Sequence, residues 1–201
     1  YMDGNHLYFL IGDVSGKGVP ASLFMAITRS LFRTLSQHVL SPAKIVTEMN
    51  NSISDNNESN MFVTLIVGIL DLETGILKLC NAGHNPPILI YPDGQVSYLE
   101  FKTQIFVGVV EDFKYSDEEV VLEKESKLFL YTDGVTEAEN INKELYGEEK
   151  LLEMLSDNAS SDVRTTVNVV VDSIASHVKE AEASDDLTIL LIQYEPGTAN
   201  S

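Results

Sequence analysis

The sequence holds one cysteine, Cys80, and no tryptophan among its 201 residues. A lone cysteine excludes an internal disulfide and any metal site built from several thiolates, and it suits a reducing compartment such as the cytoplasm. No apolar run reaches the ~18 to 20 residues that span a bilayer, and no N-terminal signal peptide is visible. Basic residues are scarce: 13 Lys and Arg stand against 31 Asp and Glu, a formal net charge of −18. A field of that sign repels phosphate backbones and argues against nucleic-acid binding. Spread out, the acidic surplus serves solubility; only clustered carboxylates turn it towards cations. Hydrophobic residues make up an ordinary 44%. The length suits one domain that hides roughly 70% of its unfolded surface. The chain opens on Tyr1 and runs at once into strand-like sequence, so it is expected to be a piece of a longer protein. Residues 1–195 are read as one domain and 196–201 as a disordered tail.

The apolar run LYFLIGD (7–13) predicts a buried strand ending at a carboxylate. After the SGKG turn, Pro20 suits a first helical turn, and Leu23, Ile27, Leu31 and Leu35 predict the buried face of a helix reaching about residue 39. Ser41 and Pro42 open a second helix with Ile45, Met49 and Ile53 as its stripe. Hairpin-joined strands are expected at 61–71 and 76–82, then at 88–91, 95–100, 120–122 and 127–134. Two helices follow, at about 147–156 and 161–179, the second burying Val163, Val167, Val170, Ile174 and Val178. DDLTILLIQY (185–194) predicts a closing strand that starts with two aspartates. Hairpins with helix pairs outside them predict an α+β fold.

Three aspartate positions share one local grammar. Asp13 and Asp133 each end an apolar strand beside a glycine, while Asp185 and Asp186 begin one. A carboxylate at the edge of a buried strand is costly unless something neutralises it, and no basic residue neighbours Asp133 or Asp185 in sequence. A shared divalent cation would do so, and oxygen-only ligands suit Mg²⁺ or Mn²⁺ over Zn²⁺. Other phosphate chemistries fail on spacing. GDVSGKG lacks the P-loop pattern, and Pro86 stands where a cysteine-based phosphatase starting from Cys80 would need arginine. Asp71 and Asp93 are read as hairpin-turn residues, and the acidic run Asp117, Glu118, Glu119 as a solvated loop.

GDVSGKGVPASLFMA (12–26), NAGHNPP (81–87), LYTDGVTEAEN (130–140), YGEEKL (146–151) and DDLTIL (185–190) together resemble the motif series of one family. It is the sporulation stage II protein E and RsbU-type branch of the PPM (type 2C) serine/threonine phosphatases. The resemblance covers nearly the whole chain. It implies an αββα sandwich, two antiparallel sheets flanked by helix pairs, with a binuclear Mn²⁺ or Mg²⁺ centre at one end. It further implies Asp13 as bridging ligand, Val14 as a backbone-carbonyl ligand, Asp133 and Asp185 as ligands and Asp186 as their neighbour. The implied reaction is hydrolysis of phosphoserine or phosphothreonine by metal-activated water. The implied substrate is a phosphorylated STAS-domain anti-sigma-factor antagonist. An N-terminal sensor or receiver domain would act through the helix pair 19–56, in a cytoplasmic or membrane-tethered protein that could form a homodimer.

Two departures bear on this. Nothing matches the family's upstream G-G-D-x-x-D pattern, and Asp3 is too close to Asp13 to serve, so one metal position is expected to be weak. Eukaryotic relatives carry a histidine two residues after the bridging aspartate; Ser15 stands here, so that general acid does not transfer. Lys17 is open to two readings, a phosphate-directed charge or a solvated turn residue. His84 is open to two as well, a proton donor to the leaving oxygen or a loop-shaping residue. The rival to the enzyme is a pseudophosphatase that keeps the fold and binds a partner without turnover.

Overall fold

The computed structural model describes residues 1–55, 57, 60–181 and 185–196; most of the tail expected over 196–201 lies outside them. The fold is α+β, with two sheets and four helices among the described residues. It divides into two compact units, Tyr1–His84 with Phe101–Leu122, and Asn85–Glu100 with Glu123–Glu195. No helix among the described residues is long and apolar enough to cross a membrane.

The first unit is built on β1 (Met2–Asp3), β2 (His6–Val14), β3 (Val63–Asp71), β4 (Ile76–Ala82), β7 (Thr103–Gln104) and β8 (Glu118–Val121). Strands β2 and β3 pair antiparallel from His6↔Asp71 to Val14↔Val63. The sheet is not wholly antiparallel, because the short β7 joins β4 in parallel. Side chains on successive strand residues point to opposite faces. One face of β3 therefore carries Val63, Leu65, Val67 and Ile69 into a core with Ile45, Val46 and Met49. Cys80 is fully buried there, and burial pushes its thiol up to about 12.

Those helix residues belong to α2 (Pro42–Ser54), whose N-cap Ser41 accepts a bond from the Lys44 backbone N–H. The stripe Ile45, Met49, Ile53 is buried as its spacing predicts. Helix α1 (Val19–Leu35) corrects the expectation for its own stripe. Leu23 and Ile27 are 61% and 53% exposed, while Thr28 is fully buried and Phe24, Phe32 and Leu35 pack on the core. A second correction concerns Asp117. It is no solvated loop residue: its carboxylate accepts bonds from the Ser41 hydroxyl (2.7 Å) and the Ala43 N–H, closing the N-terminus of α2. Glu118 and Glu119 belong to β8.

The second unit is an antiparallel sheet in the order β10 (Ile189–Gln193), β9 (Lys127–Tyr131), β5 (Ile88–Ile90), β6 (Val96–Tyr98). Strand β9 is central and buried at every residue, and after Lys127 it is apolar throughout but for the Tyr131 hydroxyl. Helices α3 (Glu148–Asp157) and α4 (Val163–Val178) close the core with Leu151, Leu155, Val170 and Ile174. Lys127 shares that interior. Its Nζ donates to the Ala159 and Ser161 carbonyls, each at 2.6 Å, which pins the α3–α4 turn. Burial pulls its pKa down.

Candidate functional site

In the second unit the β9–β10 pairing register ends at Tyr131↔Ile189, and the acidic residues stand just beyond it. Asp133 follows β9 by two residues. Asp185 and Asp186 precede β10 by four and three, which corrects the expectation that they begin the strand. A few specific bonds hold this irregular pair of segments together. The Thr132 N–H donates to the Thr188 carbonyl, and the Thr188 N–H donates to the Thr132 hydroxyl, both at 3.1 Å. That hydroxyl donates in turn to the Asp186 carbonyl at 3.3 Å. Gly134 lets the segments touch: a Cβ there would lie 2.3 Å from the Asp186 carbonyl oxygen. The Asp133 carbonyl accepts from the Glu137 N–H at 2.8 Å, turning the chain back at once.

This backbone brings a carboxylate oxygen of Asp133 within 4.8 Å of one from Asp185. Oδ1 of Asp133 is buried with no hydrogen-bond partner. Oδ1 of Asp185 accepts from the next residue's N–H, at 2.9 Å. Among the described residues, no Lys, Arg or His forms an ion pair with either. Two like charges about 4 Å apart repel by about 4 kcal/mol at the effective dielectric of a protein surface. A buried, unpartnered carboxylate oxygen adds a desolvation cost of about 1–3 kcal/mol. A divalent cation removes both penalties, and the donor set, all oxygen, fits Mg²⁺ or Mn²⁺.

In the first unit, Asp13 sits inside β2 opposite Thr64, and the buried Val14 sits opposite Val63. Asp3 pairs with His6 at the far end of β2. Seven residues of strand, roughly 23 Å, separate that end from Asp13, so Asp3 cannot join it. Lys17 is exposed in the following turn. His84 is 4% exposed and wired into its loop. Its Nδ1 meets the Thr64 hydroxyl at 3.0 Å. Its N–H donates to the Asn81 side chain, whose amide donates back to the His84 carbonyl. Ser15 bonds Phe62 twice: its N–H donates to the Phe62 carbonyl and its Oγ accepts from the Phe62 N–H, both at 2.9 Å.

Sequence pattern alone assigns Thr132, Gly134, Thr64, Asn81 and Ser15 no positional role. Thr132 and Gly134 flank Asp133 in the LYTDG segment, and a buried hydroxyl beside a candidate ligand is a usable signal. The partners of Thr64 and Asn81 are set by register, which no local pattern reveals.

A family model described as stage II sporulation protein E (SpoIIE) matches residues 3–195. Phosphoserine phosphatase RsbU of Bacillus subtilis is 25% identical over 202 residues, covering 96% of this chain and 59% of the relative. Across three curated relatives the chain spans 34%, 59% and 48% of their length. A solved structure of RsbU and RsbW domains from Mycobacterium tuberculosis superimposes with a TM-score of 0.80 at 24% identity, covering 97% of this chain and 53% of that one. The catalytic domain of serine threonine protein phosphatase PstP, solved with 2 manganese ions, gives a TM-score of 0.66 at 13% identity, covering 95% and 91%. These likenesses show a shared fold.

Proposed function

As the chain belongs to the SpoIIE family, the RsbU-like branch of the PPM phosphatases, we propose that it is a metal-dependent protein serine/threonine phosphatase. The observation that carries the reading is the close approach of the Asp133 and Asp185 carboxylates, one Asp133 oxygen being buried and unpartnered, with no ion pair to a cationic side chain among the described residues. In this reading Asp133 and Asp185 hold a divalent cation, Asp186 stands beside them, and Asp13 with the Val14 carbonyl supplies further oxygen ligands from the first unit. Bound Mn²⁺ or Mg²⁺ supplies polarisation of the phosphoryl oxygens and a lowered pKa for the attacking water. The chain's residues do the rest. Lys17, four residues after Asp13, offers positive charge to an incoming phosphoryl group. His84, with Nδ1 committed to Thr64, gives or takes a proton only through Nε2.

The test is manganese-dependent hydrolysis of p-nitrophenyl phosphate by the chain. Activity that disappears in both Asp13→Asn and Asp133→Asn supports the enzyme. Tight manganese binding without turnover supports the pseudophosphatase instead. A finer reading follows the motif resemblance, in which the substrate is a phosphorylated STAS-domain anti-sigma-factor antagonist met in the cytoplasm. There a sensor or receiver module of a longer chain would act through α1 and α2. Phosphate release from such a purified phosphoprotein, compared with an unrelated phosphoprotein, decides it; equal rates on both would remove the STAS assignment.

A further inference from the structure

Beside the Asp13 end of its sheet, the first unit displays an apolar surface that its fold holds in place. The rings of Phe62 and Phe106 stack with centroids 4.8 Å apart and planes 28° from parallel. Phe106, Val109 and Val110 are 37%, 49% and 41% exposed, three large apolar side chains within five residues. Such a concentration is unlike the singly scattered apolar residues of an ordinary surface. Three anchors fix the pair. Val63 and Val107 exchange two backbone bonds of 3.0 Å. Ser15 bonds both the N–H and the carbonyl of Phe62. Gly83, at φ +78°, leaves the room Phe106 needs, since a Cβ there would lie 2.4 Å from the ring. The buried Asn50 holds the segment beyond, donating to the Val110 carbonyl at 2.8 Å and accepting from the Gly108 N–H at 2.9 Å. Val109 and Val110 are thus held outward by a tethered backbone, and a partner would meet a surface already ordered.

The neighbouring residues add a charge. Glu111 and Asp112 line a hollow of about 390 Å³ with Asn51, Ser52 and Asp55. An apolar plate with an acidic flank complements a peptide carrying an apolar and a basic side chain. The surface also has an address: Ser15, which clamps Phe62, is two residues past Asp13. A phosphoserine brought to Asp13 would lay its flanking residues, at ~3.3 Å each when extended, on what surrounds it. Resting on the phosphatase reading above, we propose that Phe62, Phe106, Val109 and Val110 seat an apolar residue flanking the phosphoserine of a protein substrate, and that Glu111 and Asp112 receive a basic one.

The test uses nonapeptides with a central phosphoserine in a Gly/Ser background, scanning Leu, then Lys, then Glu through the flanking positions. Their kcat/KM is divided by that for p-nitrophenyl phosphate, which has no flanking residues. Leu at one position should raise this ratio about tenfold over Gly, the scale of a hydrophobic subsite. Phe106→Ala and Val109→Ser should each erase the gain; the second alters only an exposed side chain and so survives any folding defect in the first. Glu111→Lys should turn a preference for Lys into one for Glu. No gain at any position, or a gain that survives both substitutions, overturns the proposal. A Phe106-dependent dimer in sedimentation overturns it too, because the plate would then be a contact between copies. Failure of the wild-type chain to hydrolyse p-nitrophenyl phosphate is a different result: it removes the phosphatase reading and this inference with it.

Discussion

Asp13 and Asp133 both sit at the margin of a buried strand, yet their backbones are held in opposite ways. Asp13 lies within a nine-residue antiparallel register, one pair from its end, so its position is set by a ladder of many bonds. Asp133 lies where the ladder has ended, and its seat depends on the Thr132 hydroxyl and on the close approach that Gly134 permits. A ladder tolerates the loss of any one side chain, because register is set by many bonds and by the alternation of faces. A seat built from two or three side-chain contacts does not. Substitutions near Asp133 should therefore disturb metal binding far more than matched substitutions near Asp13.

The largest effect is expected at the carboxylate itself. Asp133→Asn should cut manganese-dependent hydrolysis by roughly a thousandfold, as loss of a group stabilising transition-state charge does. It should also make the metal-free protein more stable, since a neutral amide replaces a carboxylate whose Oδ1 is buried without a partner. About 1 kcal/mol is reasonable, a rise of about 2–4 °C in Tm for a chain of this size. Calorimetry with and without manganese would show the rise together with loss of the metal-induced shift. A lowered metal-free Tm would mean that Asp133 has a protein partner and that the cation argument is wrong.

Next comes a matched pair. Thr132→Val removes the hydroxyl that accepts from Thr188 and donates to Asp186, and supporting residues of this kind typically cost 10–100-fold in metal affinity. Thr64→Val removes a hydroxyl that meets the Asp13 carbonyl at 3.5 Å and the His84 Nδ1 at 3.0 Å but leaves every ladder bond in place, so manganese affinity should fall less than in Thr132→Val. Titration calorimetry of the two variants measures the difference. Equal losses would break the contrast between ladder and loop seats.

Much of the fold is legible in the sequence. Strands β2, β3, β4 and β9 show as segments rich in apolar residues, and α2 and α4 show as stripes, because burial of one face leaves its period in the sequence. The three aspartates are legible as charges beside apolar runs, though only Asp13 falls within a strand, and Asp133 and Asp185 stand two and four residues outside theirs. The α2 cap is not: Asp117 reaches Ser41 across 76 positions, and no local window contains both. The first unit thus has its own device that depends on one side chain. Asp117→Ala should cost about 1 kcal/mol, the usual worth of an N-terminal cap, with little change in manganese affinity, as read by denaturant unfolding and titration. A large loss of affinity would tie the metal ligands to α2 and shrink the contrast between the units.

The smallest expected effect belongs to the residues whose burial the sequence pattern mispredicts. At 3.6 residues per turn a spacing of four advances about 40° beyond a full turn each time. From Leu23 to Leu35 that drift totals about 120°, so a strict row of four cannot stay on one side over three steps. Leu35 packs on the core while Leu23 and Ile27 are exposed. The α2 row Ile45, Met49, Ile53 takes only two steps and remains buried. Leu23→Ser should therefore change the stability of the chain by no more than about 0.5 kcal/mol, the range of ordinary surface substitutions. Met49→Ala, at a fully buried position, should cost about 2–5 kcal/mol. Urea midpoints of the two variants decide the matter. A loss of about 2 kcal/mol or more from Leu23→Ser, the scale of a buried large-to-small change, would mean that the start of α1 is covered in solution, and that the unbroken row in the sequence reports a real buried face.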